Sequence, residues 1–219
     1  MWLVHIVFSS LIAWVSGNLI IDVSHYNGNI DWAKVKAAGV VGAIAKVSEG
    51  NLWGWRDRQF VRNWQQMKAN NVEQLGAYHY FRGDRTADSQ ESLINKCLAR
   101  VDFDPNKHIL AIDVEGTGNE KVSAAAMADT LKSLLDKLKT KYKNIYIYSA
   151  PNMENKVLWN KYSNDFSSYN LWIAHYTSAA EPTILSIWKK KGYKLWQYSQ
   201  TGKLKGLSSL NFDLNRWKN

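Results

Sequence analysis

Short apolar runs alternate along this chain with longer stretches in which apolar residues recur every three or four positions. The runs Leu19–Val23, Val41–Lys46, Leu75–Phe81, Ile109–Val114, Ile145–Tyr148, Leu171–Tyr176 and Lys194–Tyr198 are the expected strands, with a weaker one around Phe212. Most are apolar at nearly every position, as parallel strands covered on both faces are. Between them lie four helical patterns. Asp31–Ala38 ends at Gly39, a natural C-terminal stop, and Asp57–Asn70 sets Phe60, Trp64 and Met67 on one stripe. Ala87–Arg100 places Glu91, Ile94 and Leu98 in line. Ser123–Tyr142 starts at a residue suited to capping and aligns Met127, Leu131, Leu134, Leu135 and Leu138. Strand–helix alternation without a Pro- or Ser-rich linker predicts one α/β domain of barrel-like, TIM-barrel-like form. Its second half should carry fewer or irregular helices, because the later connections are short.

Composition changes this picture in three ways. The 219 residues suit a single domain, with 11 Trp and 11 Tyr against 3 Pro; that aromatic load exceeds what a core needs and suggests rings lining a cleft. Residues 1–17 read as a secretory leader: the run Leu3–Val15 carries no formal charge and Val15-Ser-Gly17 resembles a cleavage site, although the preceding residues include no Lys or Arg. The run is shorter than the ~20 residues of a membrane span, and no later segment is a candidate, so residues 18–219 are expected to be the mature, secreted domain. Delivery to a lysosome- or phagosome-type compartment is the related alternative. The formal charge of +9 favours anionic partners such as acidic cell-wall polymers, and no nucleic-acid-binding motif accompanies it. Cys97 is the only cysteine, so an internal disulfide is excluded.

In α/β barrels, active sites collect at the C-terminal ends of the strands. Those ends carry Asp22 after the first strand, Glu49 past the second, Asp113 and Glu115 at the fourth, and Asp213 near the last. Asp113 and Glu115 are two apart, so on an extended strand both point to one face. A carboxyl beside a second carboxyl and near apolar surroundings is pushed toward its protonated form, which suits a proton donor. Glycosidic cleavage needs such a donor together with a second negative or nucleophilic group. Glu115 is assigned as the acid for its outer position and longer reach, and Asp113 to orienting the substrate or stabilising charge. Tyr78, Tyr148, Trp172, Tyr176 and Trp196 lie on or just past strands and are candidates to contact sugar rings; Lys46 and Glu49 are expected to pair, bracing the rim or touching the substrate. Nothing resembles G-x-S-x-G, a P-loop or H-E-x-x-H, and the five histidines lack metal-ligand spacing, so neither a metal nor an organic cofactor is expected. His79 and His175 fall near strand ends, where a structural role is the default.

At these residues the chain resembles the glycoside hydrolase family 25 lysozymes, the Chalaropsis-type muramidases. The resemblance rests on Ile21-Asp-Val-Ser-His-Tyr-Asn-Gly28 with Ile30-Asp-Trp32, Lys46-Val-Ser-Glu-Gly50, Gly76-Ala-Tyr-His-Tyr-Phe81, Leu110-Ala-Ile-Asp-Val-Glu-Gly116, Ile145-Tyr-Ile-Tyr148, Leu171-Trp-Ile-Ala-His-Tyr176, Leu195-Trp-Gln-Tyr-Ser199 and Phe212-Asp-Leu-Asn215. It departs from the family pattern at Ile20, Tyr26 and Val47-Ser48, leaving the carboxylates intact. The resemblance implies a flattened barrel that cleaves the β-1,4 bond between N-acetylmuramic acid and N-acetylglucosamine in bacterial peptidoglycan; separately, a monomer is expected. Its catalytic carboxylates would be Asp22, Asp113, Glu115 and Asp213, and its aromatic cleft Tyr78, Tyr148, Trp172 and Trp196. Attack by the substrate's own 2-acetamido oxygen and attack by a carboxylate both stay open. A chitin-cleaving barrel glycosidase and a non-catalytic sugar-binding lectin are the rival readings.

Overall fold

The computed structural model describes residues 18–205, 207 and 210–218; the leader expected at 1–17 lies outside them. Eight strands close into a barrel in chain order: β1 (Leu19–Val23), β2 (Gly42–Glu49), β3 (Gln74–Tyr80), β4 (Ile109–Asp113), β5 (Ile145–Ser149), β6 (Asn170–Ala174), β7 (Leu195–Gly202) and β8 (Phe212–Trp217). The first seven run parallel, as the apolar runs predict. Strand β8 is antiparallel to both β7 and β1. A parallel return needs a crossover of a dozen or more residues, and only residues 203–211 separate β7 from β8.

The expected helices form as α1 (Trp32–Ala37), α2 (Phe60–Ala69), α3 (Ala87–Leu98) and α4 (Ala124–Leu138). Asp31, Thr86 and Ser123 cap α1, α3 and α4 by accepting from backbone N–H groups of the first turn. Gly39, at φ +90°, takes the backbone conformation that ends the α1 segment. In the second half, β5 and β6 are joined by 3-10 turns and the six-residue α5 (Ser163–Ser168), and β6 and β7 by a single 3-10 turn at Ser186–Trp188. None of the helices among the described residues is long and apolar enough to cross a membrane.

The core has two layers. The larger lies outside the barrel wall, where Val47, Ile112, Ile147 and Ile173 meet Trp64, Ile94, Leu131 and Leu135 of the helices. The smaller fills the barrel with Ile20, Ile44, Ile109, Tyr146, Trp172 and Leu195. Gly76 sits in register between Ile44 and Ile109; a Cβ there would come within 3.0–3.1 Å of both side chains, so a larger residue would require its neighbours to give by a few tenths of an ångström. Cys97 is buried in the outer layer. His79 also faces outward, held between the Ser48 hydroxyl (2.9 Å) and the Gln90 amide oxygen (3.1 Å), and burial drives its pKa down to about 4. It is a neutral structural histidine on the far side of the wall from the barrel interior.

Candidate active site

Strand register assembles the mouth of the barrel. Glu49, Tyr80, Asp113, Tyr148 and Trp172 pair in succession across β2 to β6, forming one inward-facing row at the C-terminal ends. Asp22 and Asp213 face each other directly across β1 and β8, and Gln197 pairs with Asn215 beside them. Glu115 lies two residues past Asp113. Val114 still bonds to Tyr148 of β5, and the buried Asn119 donates to the carbonyl oxygens of Glu115 and Phe81 while accepting from Gly83 N–H. The segment carrying Glu115 is therefore fixed on both sides.

Lys46 and Glu49 are three residues apart, which in a regular strand puts them on opposite faces. A bulge between Lys46 and Ser48 resets the alternation, so both point inward and their charged ends meet at 2.9 Å. Arg82 contacts the other oxygen of Glu49 at 3.5 Å. The ion pair between Lys46 and Glu49 expected from sequence is present.

The four carboxyls line one pocket of about 240 Å³, together with Lys46, Tyr78, Tyr80, Tyr148 and Tyr176. Their hydrogen bonding differs. One oxygen of Asp22 accepts from the Gln197 and Asn215 amides, both at 2.8 Å, and the Trp172 indole N–H donates to Asn215 at 2.7 Å, fixing which way that amide faces. Asp113 is only 6% exposed, yet its Oδ1 has no hydrogen-bond partner. Glu115 is more open and receives a long contact of 3.5 Å from the Tyr80 hydroxyl, which donates at 2.8 Å to Thr117 O.

All four groups hold protons more tightly than ordinary carboxyls. Burial is the largest cause in each. At Asp113 the negative charge of Glu115 adds to it and Lys46 opposes it. At Glu115 hydrogen bonds from the Tyr148 and Tyr80 hydroxyls work against burial. At Asp22 the Asn215 and Gln197 amides do the same, while Asp213, facing Asp22, is pushed up to about 8. The protons belong to the cluster, and near neutral pH it keeps at least one.

The aromatic residues divide. Tyr176 is 48% exposed at the mouth, and its hydroxyl reaches Gln197 Oε1 at 2.6 Å, joined there by Tyr148 at 2.9 Å. Tyr78 also faces the pocket. Trp172 forms its floor, stacked edge-on against Tyr148 with centroids 4.7 Å apart. The expectation for Trp196 fails: it is 1% exposed, points outward into the larger core, donates to His175 O and lies under the Arg216 guanidinium. Next to the inward Leu195, its side chain has to face away from the pocket. Sequence reading missed Tyr80, Gln197 and Asn215, although Leu195 to Gln197 and Asp213 to Asn215 are two-residue steps that keep the same face. It also passed over Tyr26, which is 85% exposed on the pocket rim.

A second cavity of about 590 Å³ continues the first, with Glu115, Tyr148, Tyr176 and Gln200 common to both. Glu115 thus stands where two cavities join. The arrangement can deliver a proton to a bond lying across that junction, with charged and polar groups on the side of Asp113 and a more open space beyond.

Comparison with known proteins agrees with this geometry. The model of Glycosyl hydrolases family 25 matches residues 21–207. Lysozyme M1 of Streptomyces globisporus is 26% identical over 92% of this chain and 68% of its own length. The autolytic lysozyme of Clostridium acetobutylicum is 25% identical over 86% of this chain, which spans 52% of that relative. A bacterial lysozyme from Streptomyces coelicolor superimposes with a TM-score of 0.76 at 25% identity, covering 94% of both chains. With the family model spanning all but one strand of the barrel and the carboxyls gathered at its mouth, the chain belongs to glycosyl hydrolases family 25 and is a glycoside hydrolase.

Proposed function

We propose that this enzyme is a secreted lysozyme that hydrolyses the β-1,4 bond between N-acetylmuramic acid and N-acetylglucosamine in bacterial peptidoglycan. Glu115 donates the proton and Asp113 assists. The observation that carries this reading is the place of Glu115 at the junction of the two cavities: a glycan laid through both sets one linkage over its carboxyl. The lysozyme relatives support the choice of polymer.

Glu115 transfers its proton to the leaving oxygen as the bond to the anomeric carbon breaks. Asp113 lines the same pocket, and we assign its carboxyl to the N–H of a 2-acetamido group. That contact favours attack by the acetamido oxygen on its own anomeric carbon over attack by a carboxylate. Water, giving its proton to the now ionised Glu115, then opens the ring so formed. Asp22 and Asp213 set the charge of the opposite wall, and Tyr26, Tyr78 and Tyr176 offer ring faces to the sugars. Export follows from the leader at 1–17, with 18–219 as the working domain.

Mass spectrometry of digested peptidoglycan tests the bond assignment. New reducing ends should lie on N-acetylmuramic acid. Reducing ends on N-acetylglucosamine, or release of chitooligosaccharides with peptidoglycan left whole, overturn it.

A further inference from the structure

Among the described residues that line the catalytic pocket, four are carboxyls and one, Lys46, is a cation. The proposed mechanism gives that cation no part. Its backbone lies one layer below the rim: Lys46 pairs with Tyr78 and Tyr78 with Ala111, whereas Glu49 pairs with Tyr80 and Tyr80 with Asp113. The side chain rises through that layer to meet Glu49 at 2.9 Å. Its ammonium thereby enters the row that contains Asp113, 4.9 Å from the centre of the intervening Tyr80 ring. Only 11% of the side chain is exposed, so water screens its charge weakly.

Glu49 does not belong to Lys46 alone. Its other oxygen meets Arg82 at 3.5 Å, and Arg82 and Arg85 meet Asp84 at 3.4 and 3.5 Å. Charges therefore alternate outward from the pocket with a cation at each end. On its far side Lys46 borders a cavity lined by Arg56, Arg58 and Asp57, where His25 Nδ1 meets the Asp57 carboxylate at 2.7 Å.

Hydrogen bonding alone disposes the two carboxyls after β4 unfavourably for a donor at Glu115. The Tyr148 and Tyr80 hydroxyls meet Glu115 and favour its anion, whereas the more deeply buried Asp113 keeps an oxygen without a partner. These contacts draw the shared proton toward Asp113, and the negative charges of Asp22 and Glu49 do so as well. Burial keeps the Tyr78 and Tyr176 hydroxyls protonated, so they add no charge. Asp213 lies across the mouth, facing Asp22. Lys46 pulls the other way. At Asp113 it outweighs Asp22 and Glu49, whereas at Glu115 it comes after both tyrosine hydroxyls and Asp22.

We infer that Lys46 is a positioning residue for the proton: held in the Asp113 row by Glu49, it weakens the hold of Asp113 on the proton and so biases it toward Glu115. The catalytic value of this bias rests on the reading of Glu115 as donor; the bias itself does not.

Carbon-13 NMR titration of the labelled carboxyls measures the bias without substrate. In Lys46→Met, Asp113 should titrate about one pH unit higher and Glu115 should move by less. Lys46→Arg, which keeps the charge, should restore the wild-type values. The double variant Lys46→Met/Glu49→Gln leaves no carboxylate without its cation and should retain part of the Asp113 rise. An unmoved Asp113, equal movement of Asp113 and Glu115, or wild-type values in the double variant overturn the inference. On peptidoglycan, the pH profile of kcat/KM should shift to higher pH in Lys46→Met and return in Lys46→Arg. A loss of activity with both limbs in place marks a merely structural lysine and overturns it too. Should the wild type cleave no peptidoglycan, the lysozyme reading fails while the titration still judges the role of Lys46.

Discussion

Two carboxyl pairs face each other across the barrel mouth, and they are bonded in opposite ways. On the β1–β8 side, Asp22 is held by two amides at 2.8 Å, one of them oriented by the Trp172 indole. On the β4 side, Asp113 keeps a buried oxygen without a partner, and Glu115 is met by the Tyr148 and Tyr80 hydroxyls, each of which also reaches another acceptor. A buried acceptor left unmet costs about 1–3 kcal/mol, so the protein tolerates at Asp113 what it avoids at Asp22. The first pair is complete in the protein alone. The second retains an unmet acceptor at Asp113.

The comparison is tested most severely by removing the proposed proton donor. Glu115→Gln keeps the shape and loses the proton, and kcat on peptidoglycan should fall by about 10²–10⁴-fold with glycan binding retained. Asp113→Asn should lower kcat by about 10²-fold, since one electrostatic contact to the reacting sugar is lost. Turnover assays with binding measured in parallel check both. On the opposite side, Asn215→Ala removes a donor from Asp22 and the acceptor of the Trp172 N–H. Its main effect should be a stability loss of about 1–3 kcal/mol by denaturant unfolding, with a smaller change in rate. The subtlest effect concerns pH. Asp213 has a folded pKa of about 8, raised from an ordinary value of 3.8 by burial and by the facing Asp22. A raised folded pKa means that the native state binds the proton more tightly than the unfolded chain. Its contribution is present below about 4 and is lost as pH rises toward 8. Asp213→Asn should therefore flatten the decline of melting temperature across that window.

Much of this mouth was legible in the sequence. Parallel strands buried on both faces read as apolar runs, and acidic residues ending such runs stand out, so Asp22, Asp113, Glu115 and Asp213 were identifiable before any contact was known. What stayed hidden depends on geometry that residue type does not carry. The bulge after Lys46 adds one residue to a strand, and only the pairing with β3 reveals it. The reversal of β8 follows from a short connection whose course composition does not specify. Trp196 misled because Leu195 and Trp196 are both apolar, so alternation gave no sign of which faced the pocket. Gln197 and Asn215 are ordinary amides in sequence, and they acquire meaning only when β7 and β8 bring them beside Asp22.

The central physical claim is that the mouth keeps a proton near neutral pH for Glu115 to deliver. Carbon-13 NMR titration of the labelled Asp and Glu carboxyls measures it directly. The account predicts that Asp22, Asp113, Glu115 and Asp213 titrate above the exposed carboxyls and that at least one of them is still protonated at pH 7. If all four ionise together with the surface groups near pH 4, the carboxyl cluster is not a proton reservoir and the assignment of Glu115 fails.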